Sequence, residues 1–221
     1  MQSPILFSGS EELVDMLRHE IVYGIFHEGA PLRPDELAVQ YGVSKIPVRE
    51  ALHALRSEGL VTHRKNLGLT VSALSADEIE EIYIMRAALE SIALERALPR
   101  LRPADLIEAE STLKKIDATG EIADWVALNW HFHLTLYLPS GMPHLIRTIY
   151  TLHNNVIRYL LRYLKLINYI DASQSEHWEI LEACKSGSVE TAVPILNRHL
   201  TCGVSQILTY MRGEKNPGTG K

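Results

Sequence analysis

From Ser75 to Met211 the chain runs through six successive stretches whose apolar residues recur at helical spacing: 76–98, 103–117, 120–138, 143–167, 172–186 and 188–211. A single strand–turn–strand pattern, "LVTHRKNLGLTVS" (60–72), precedes them. A period of 3.6 over that length cannot be satisfied by a sheet, so the fold is expected to be mainly α with one β-hairpin. Upstream, Leu13, Met16, Leu17, Ile21 and Ile25 form one stripe of an amphipathic helix. "EGAPLRP" (28–34) breaks that helix with a glycine and two prolines. Two short helical patterns follow, "DELAVQY" and "KIPVREALHALRSEG", joined by "GVS". A boundary near residues 72–76 divides the chain into a smaller mixed domain, 1–74, and an all-helical domain, 75–211. The polar, Gly-containing tail 212–221 is expected to be disordered.

The chain has 221 residues and a formal net charge of −5, so overall charge announces no nucleic-acid partner. No apolar run approaches the length of a membrane span and no secretion signal is visible, which leads us to expect a cytoplasmic protein without a membrane partner. Cys184 and Cys202 are too few for a disulfide framework. If the helices bearing His177 and His199 run antiparallel, the two thiols point in opposite directions along them and stay free.

Positive charge is local. Residues 45–65 hold Lys45, Arg49, Arg56, Arg64 and Lys65 against Glu50 and Glu58. In the second short helix Ser44 is a good N-cap and Pro47 falls in the first turn, where a missing N–H does no harm. Val48, Leu52 and Leu55 share one face; Lys45, Arg49, His53 and Arg56 share the opposite one. A dry face backing a basic face, after a short helix and a Gly-containing turn, is the helix-turn-helix arrangement, and a major groove admits such a helix. Arg64 and Lys65 stand at the hairpin tip, where Asn66 and Gly68 tolerate positive φ. Taken alone, each charge run also fits a solvated face.

"LRPDELAVQYGVSKIPVREALHALRSEGLVTHRKNLGLTVS" resembles the winged helix-turn-helix of the GntR family of bacterial transcription regulators. The resemblance implies operator contacts by Arg49 and Lys45 and a close approach of Gly68 to the minor groove. It extends the expected DNA-binding set to Arg33, Ser44, Ile46, Pro47, Arg56, Arg64 and Lys65. The family usually has Arg at the place of Lys45 and Thr at the place of Ile46. A lysine is a point charge rather than a bidentate fork, so base reading there is expected to be looser.

In "ALNWHFHLTLYL" (127–138), Asn129 and His133 are about 40° apart around a helix, whereas His131 is about 200° from Asn129. His177 in "SEHWEIL" and His199 in "LNRHLTC" lie on the next helices. Three histidines and an amide oxygen suit a divalent ion such as Zn²⁺. Spacing alone leaves open that these are ordinary hydrogen-bonded core histidines. Tyr83, Arg86 and Glu90 share a helix face, where Arg86 and Glu90 would also suit a plain surface pair.

The second half is similar to the FCD domain, the all-helical effector domain found behind many GntR-type winged helices. The marks are "IYIMRAALESIALERA", "NWHFHLTLYLPSG", "EHWEILEACKSG" and "NRHL". That resemblance implies a six- to seven-helix bundle in which Asn129, His133, His177 and His199 hold a divalent metal, Zn²⁺ first, with Ni²⁺ or Mn²⁺ as alternatives. It also implies that Arg86, with Tyr83, faces the metal pocket and grips a small carboxylate effector. Asn154 and Arg158, four residues apart, are expected to line the same cavity. The chain then reads as a homodimeric, metabolite-responsive regulator, a repressor, on a palindromic operator. The alternatives are a metal-dependent hydrolase, which no H-E-x-x-H motif supports, and a structural helical module.

Overall fold

The computed structural model describes residues 10–167 and 170–213, and the chain divides into two compact units between Leu74 and Ser75. The eight-residue tail 214–221 lies outside the described residues, as does most of the expected disordered segment.

The first unit comprises α1 (Ser10–Val22), α2 (Pro34–Tyr41), α3 (Lys45–Ser57) and the antiparallel strands β1 (Val61–Arg64) and β2 (Gly68–Val71). Its core is the apolar stripe of each helix: Leu13, Leu17 and Ile21 from α1 meet Val48, Leu52 and Leu55 from α3, all fully buried. Ile25 departs from the expected stripe. The helix ends at Val22, Gly24 turns the chain with φ 78°, and Ile25 is left 64% exposed. Pro34 opens α2 without loss of a hydrogen bond, and Gly42, left-handed at φ 67°, closes it. Ser44 occupies the N-cap of α3, yet its hydroxyl caps nothing. The N3 residue, whose N–H an N-cap side chain would ordinarily engage, is Pro47 and has none. Arg18 ties α1 to the end of α3 through two hydrogen bonds to the Glu58 carboxylate, at 2.7 and 2.8 Å.

In the hairpin Arg64 pairs with Gly68, and the chain turns over Lys65, Asn66 and Leu67. Asn66 (φ 69°) and Gly68 (φ 75°) take the left-handed conformation expected of them. A side chain at Gly68 would meet nothing within 4 Å, so the dihedral rather than space selects glycine there. Residues 29–32 flank β2 as a further edge, with Leu32 N–H donating to Leu69 at 2.8 Å and Gly29 N–H to Val71 at 3.0 Å.

The second unit contains α4 (Ala76–Ala97), α5 (Pro103–Ala118), α6 (Ile122–Tyr137), α7 (Pro143–Ile167), α8 (Ile170–Ser186) and α9 (Val189–Met211). Ser75 and Glu78 form a reciprocal capping box at the start of α4. α4 packs on α9, α7 and α6, α5 bridges α6 and α8, and α8 lies on α9. This arrangement brings the inner faces of α4, α6, α7, α8 and α9 around one buried polar centre. Cys184 and Cys202 are both free thiols. No helix of the described residues is long and apolar enough to cross a membrane.

Candidate functional site

The outer face of α3 carries Lys45, Ile46, Arg49, His53 and Arg56, all exposed, opposite the buried Val48, Ala51, Leu52 and Leu55. Arg49 and Arg56, with Arg64 and Lys65 of the hairpin, pair with no carboxylate among the described residues. Lys45 and Arg33 do: Lys45 Nζ lies 2.9 Å from Asp35, and Arg33 2.7 Å from Glu36. Each pair is largely exposed and therefore worth about 0–1 kcal/mol, little enough to be exchanged for a phosphate. Ile46 is 69% exposed on this basic face.

In the second unit, α6 supplies Asn129 and His133, α8 supplies His177 and α9 supplies His199. The three imidazoles offer ring nitrogens that all lie within 4.8 Å of one another. All three rings and Asn129 are buried. His131 points the opposite way, exposed, 3.1 Å from Glu108 of α5. The cluster opens on a cavity of about 30 Å³ lined by Tyr83, Arg86, Trp125, Asn129, His133, His153 and His199, among others. A space of that size holds an ion or a water molecule.

Each histidine is oriented through Nδ1. His177 Nδ1 is 3.0 Å from Gln174 Oε1, His199 Nδ1 is 2.8 Å from Glu176 Oε2, and His133 Nδ1 is 3.2 Å from the Tyr137 hydroxyl. Such partners fix ring and tautomer and direct Nε2 to the shared centre. Asn129 Nδ2 donates to His177 Nε2 at 3.0 Å, satisfying that lone pair. An ionised aspartate has no N–H and could not do so.

Burial favours the neutral form of His133, His177 and His153. Burial, then His177, His199 and Arg86, hold His133 well below the ordinary histidine pKa; burial and His199 do the same to His177. His153, stacked on Trp130 at 4.4 Å between ring centroids, is lowered by burial and Arg86. Arg86 is not a surface residue. It is buried and donates from Nε to Glu90 Oε1 at 2.8 Å, and Glu90 is fully buried. The guanidinium carbon sits 4.9 Å from the centre of the Tyr83 ring. Burial opposes the charge of Arg86, but Glu90 and Tyr83 more than offset it.

Asn154 and Arg158 are buried on α7 but do not line the cavity; His153, Ile157 and Leu160 do. The cavity-facing stripe of α7 is thus one residue, about 100°, away from the expected one. Sequence reasoning also missed Trp125, Tyr137, Gln174 and the roles of Glu90 and Glu176. Tyr137, four residues beyond His133, and Gln174, three before His177, carried a local signal in their helical spacing.

A winged helix-turn-helix joined to a helical bundle is the architecture of a DNA-binding regulator. Residues 10–71 match the gntR family of bacterial regulatory proteins, and residues 81–201 match the FCD domain. The chain belongs to the GntR family and carries an FCD domain. It is similar to the uncharacterized HTH-type transcriptional regulator YdhC of Bacillus subtilis, 27% identical over 82% of this chain and 83% of the relative. It is also similar to the "Probable D-xylose utilization operon transcriptional repressor" of Paenarthrobacter nicotinovorans, at 29% identity, covering 86% of this chain and 85% of the relative. Among solved structures it is similar to E. coli McbR/YncC, with a TM-score of 0.82 and 25% identity over 97% of this chain and the whole of the other. The chain is therefore a DNA-binding transcriptional regulator, not a hydrolase.

Because His133, His177 and His153 are neutral in the fold, the unfolded chain binds more protons below the ordinary histidine value of 6.5. Stability is full above that pH and is lost as pH falls toward the depressed native values. Urea titrations of the metal-free protein are expected to show a loss of about 1 kcal/mol per buried histidine between pH 7 and pH 5.5. A midpoint that does not move across this window would show that the rings are charged in the fold.

Proposed function

We propose that the protein is a homodimeric repressor of a palindromic operator, controlled by a small carboxylate that binds beside a divalent metal. The observation that carries this reading is the convergence of three buried imidazoles from three helices next to a buried arginine. Metal ligands must be deprotonated, and the depressed pKa values of His133 and His177 meet that demand near neutral pH. His133, His177 and His199 would supply nitrogen, and Asn129 its amide oxygen after a half-turn of its terminal bond. Three imidazoles and an oxygen suit Zn²⁺, with Ni²⁺ or Mn²⁺ as alternatives. A bound ion would supply an electrophilic centre for a carboxylate oxygen, and Arg86 would take the same anion bidentately beside Tyr83. Asn129 in place of an aspartate leaves the site one negative charge poorer, which favours an anionic ligand.

The cavity of about 30 Å³ is too small for an organic acid. Effector binding therefore requires its walls to part, and a ligand that prefers the parted arrangement shifts the population toward it. Operator affinity is changed by that shift. Repression follows the name of the D-xylose relative. Two copies related by a two-fold axis double the short site that one helix-turn-helix can read. Within each copy Arg49 takes a base edge, Lys45 and Ile46 flank it, and Arg33, Ser44, Pro47 and Arg56 hold the helix against the backbone. The wing residues Arg64, Lys65 and Gly68 follow the duplex.

The Arg49→Ala substitution is expected to cost about 1–3 kcal/mol of operator affinity without changing the thermal midpoint. Mobility-shift titration at fixed salt measures it, and unchanged affinity would remove α3 from the groove. For the metal, His133→Ala is expected to strip most of the ion and to abolish stabilisation by small carboxylates in a thermal-shift assay. His131→Ala retains both. Elemental analysis of the two variants after identical purification decides the matter, and equal metal content in both would contradict the assignment.

A further inference from the structure

His133, His177 and His199 differ in what holds Nδ1. His177 and His199 each have a direct acceptor, Gln174 Oε1 and Glu176 Oε2. His133 instead faces a hydroxyl, which can either give or take a proton. What settles the direction lies two links away. Tyr137 donates to Glu90 Oε2 at 2.7 Å, and Glu90 Oε1 accepts from Arg86 Nε at 2.8 Å. All four side chains are buried.

The polarity of this chain follows from its end. A guanidinium only donates and a carboxylate only accepts, so Glu90 takes the single hydroxyl proton of Tyr137. The phenol oxygen then turns a lone pair toward His133, whose Nδ1 must carry the ring proton. In a neutral imidazole that places the remaining lone pair on Nε2, the nitrogen available to an ion.

We propose that Glu90 is a positioning residue that, through Tyr137, sets His133 as the Nδ1–H tautomer and thereby makes it a metal ligand, while the same carboxylate holds Arg86 for the anion. The inference rests on the metal reading given above and adds to it a shared anchor. One carboxylate orients both a ligand of the metal and the receptor for the effector. The two are linked by hydrogen bonds rather than merely adjacent, so an anion that draws Arg86 away from Glu90 loosens His133. His177 and His199 are held instead by Gln174 and Glu176.

Glu90→Gln tests the polarity with almost no change of shape. The new amide keeps its oxygen toward Arg86 Nε and turns its N–H₂ toward Tyr137. The hydroxyl then donates to His133 Nδ1, and the ring proton moves to Nε2, where it blocks the metal. Nitrogen-15 NMR of the metal-free protein, with the His133 signal identified by its loss in His133→Ala, is expected to show Nδ1–H in the wild type and Nε2–H in E90Q. Zinc affinity, measured by competition with a chromophoric chelator, is expected to fall about 10- to 100-fold. Tyr137→Phe removes the link without reversing it, so the ring becomes a tautomer mixture and the affinity loss is smaller. It also decides the question if E90Q fails to fold. An Nε2–H ring in the wild type, or a tautomer and zinc affinity untouched by Y137F or E90Q, would overturn the proposal. A wild type with Nδ1–H that binds no zinc would instead contradict the metal reading and leave the tautomer assignment standing.

Discussion

Three imidazole rings with centroids 4.6 to 5.2 Å apart, buried against a guanidinium, share a space that demands little added positive charge. Protonating one would set like charges together in a medium too poor in water to screen them. The second unit is organised around that demand. Tyr137, Gln174 and Glu176 each take up one Nδ1, and Glu90 neutralises Arg86, the one permanent cation in the cavity. Removing one partner of a buried ion pair typically costs about 3–5 kcal/mol, because the other is left desolvated and uncompensated. The polar centre is therefore maintained against a standing cost. A packed apolar core would serve stability better, and this contrast favours a site kept for binding.

The DNA-reading unit solves a different problem. Its surface must present cations without collapsing onto its own carboxylates, in a chain whose overall charge is negative. It does so by dividing α3 sharply. Val48, Ala51, Leu52 and Leu55 are sealed against α1 and α2, leaving Arg49 and Arg56 in solvent with no acidic neighbour paired to them. Pro47 takes part in this division. It starts α3 without needing a capping bond, which leaves the Ser44 hydroxyl unused by the helix and facing outward with Lys45.

Much of this was legible in the sequence because it is local. Helix extents, the wing turn at Asn66 and Gly68, and the divergence of His131 from His133 all follow from spacing and dihedral preference. The convergence of His177 and His199 on His133 was not derivable from spacing and entered only through resemblance to the FCD domain. What failed was what depends on how helices rotate against one another. Asn154 and Arg158 were placed on the correct helix but on the wrong stripe, because a four-residue spacing gives a shared face and not its direction. The Arg86–Glu90 pair was legible as an i, i+4 pair, but whether it is exposed is decided by α6, α7 and α9. Glu176 diverges by about 100° from its neighbour His177, and that divergence is what aims it at His199 on the next helix.

The account stands on the identity of the ligands at the polar centre. X-ray absorption at the zinc edge of the zinc-loaded protein tests this most directly. It is expected to show one ion per chain with a shell of three imidazole nitrogens at about 2.0–2.1 Å and a lighter oxygen contribution. A protein that retains no zinc, or a shell with fewer than three imidazoles or with sulfur from either cysteine, would contradict it.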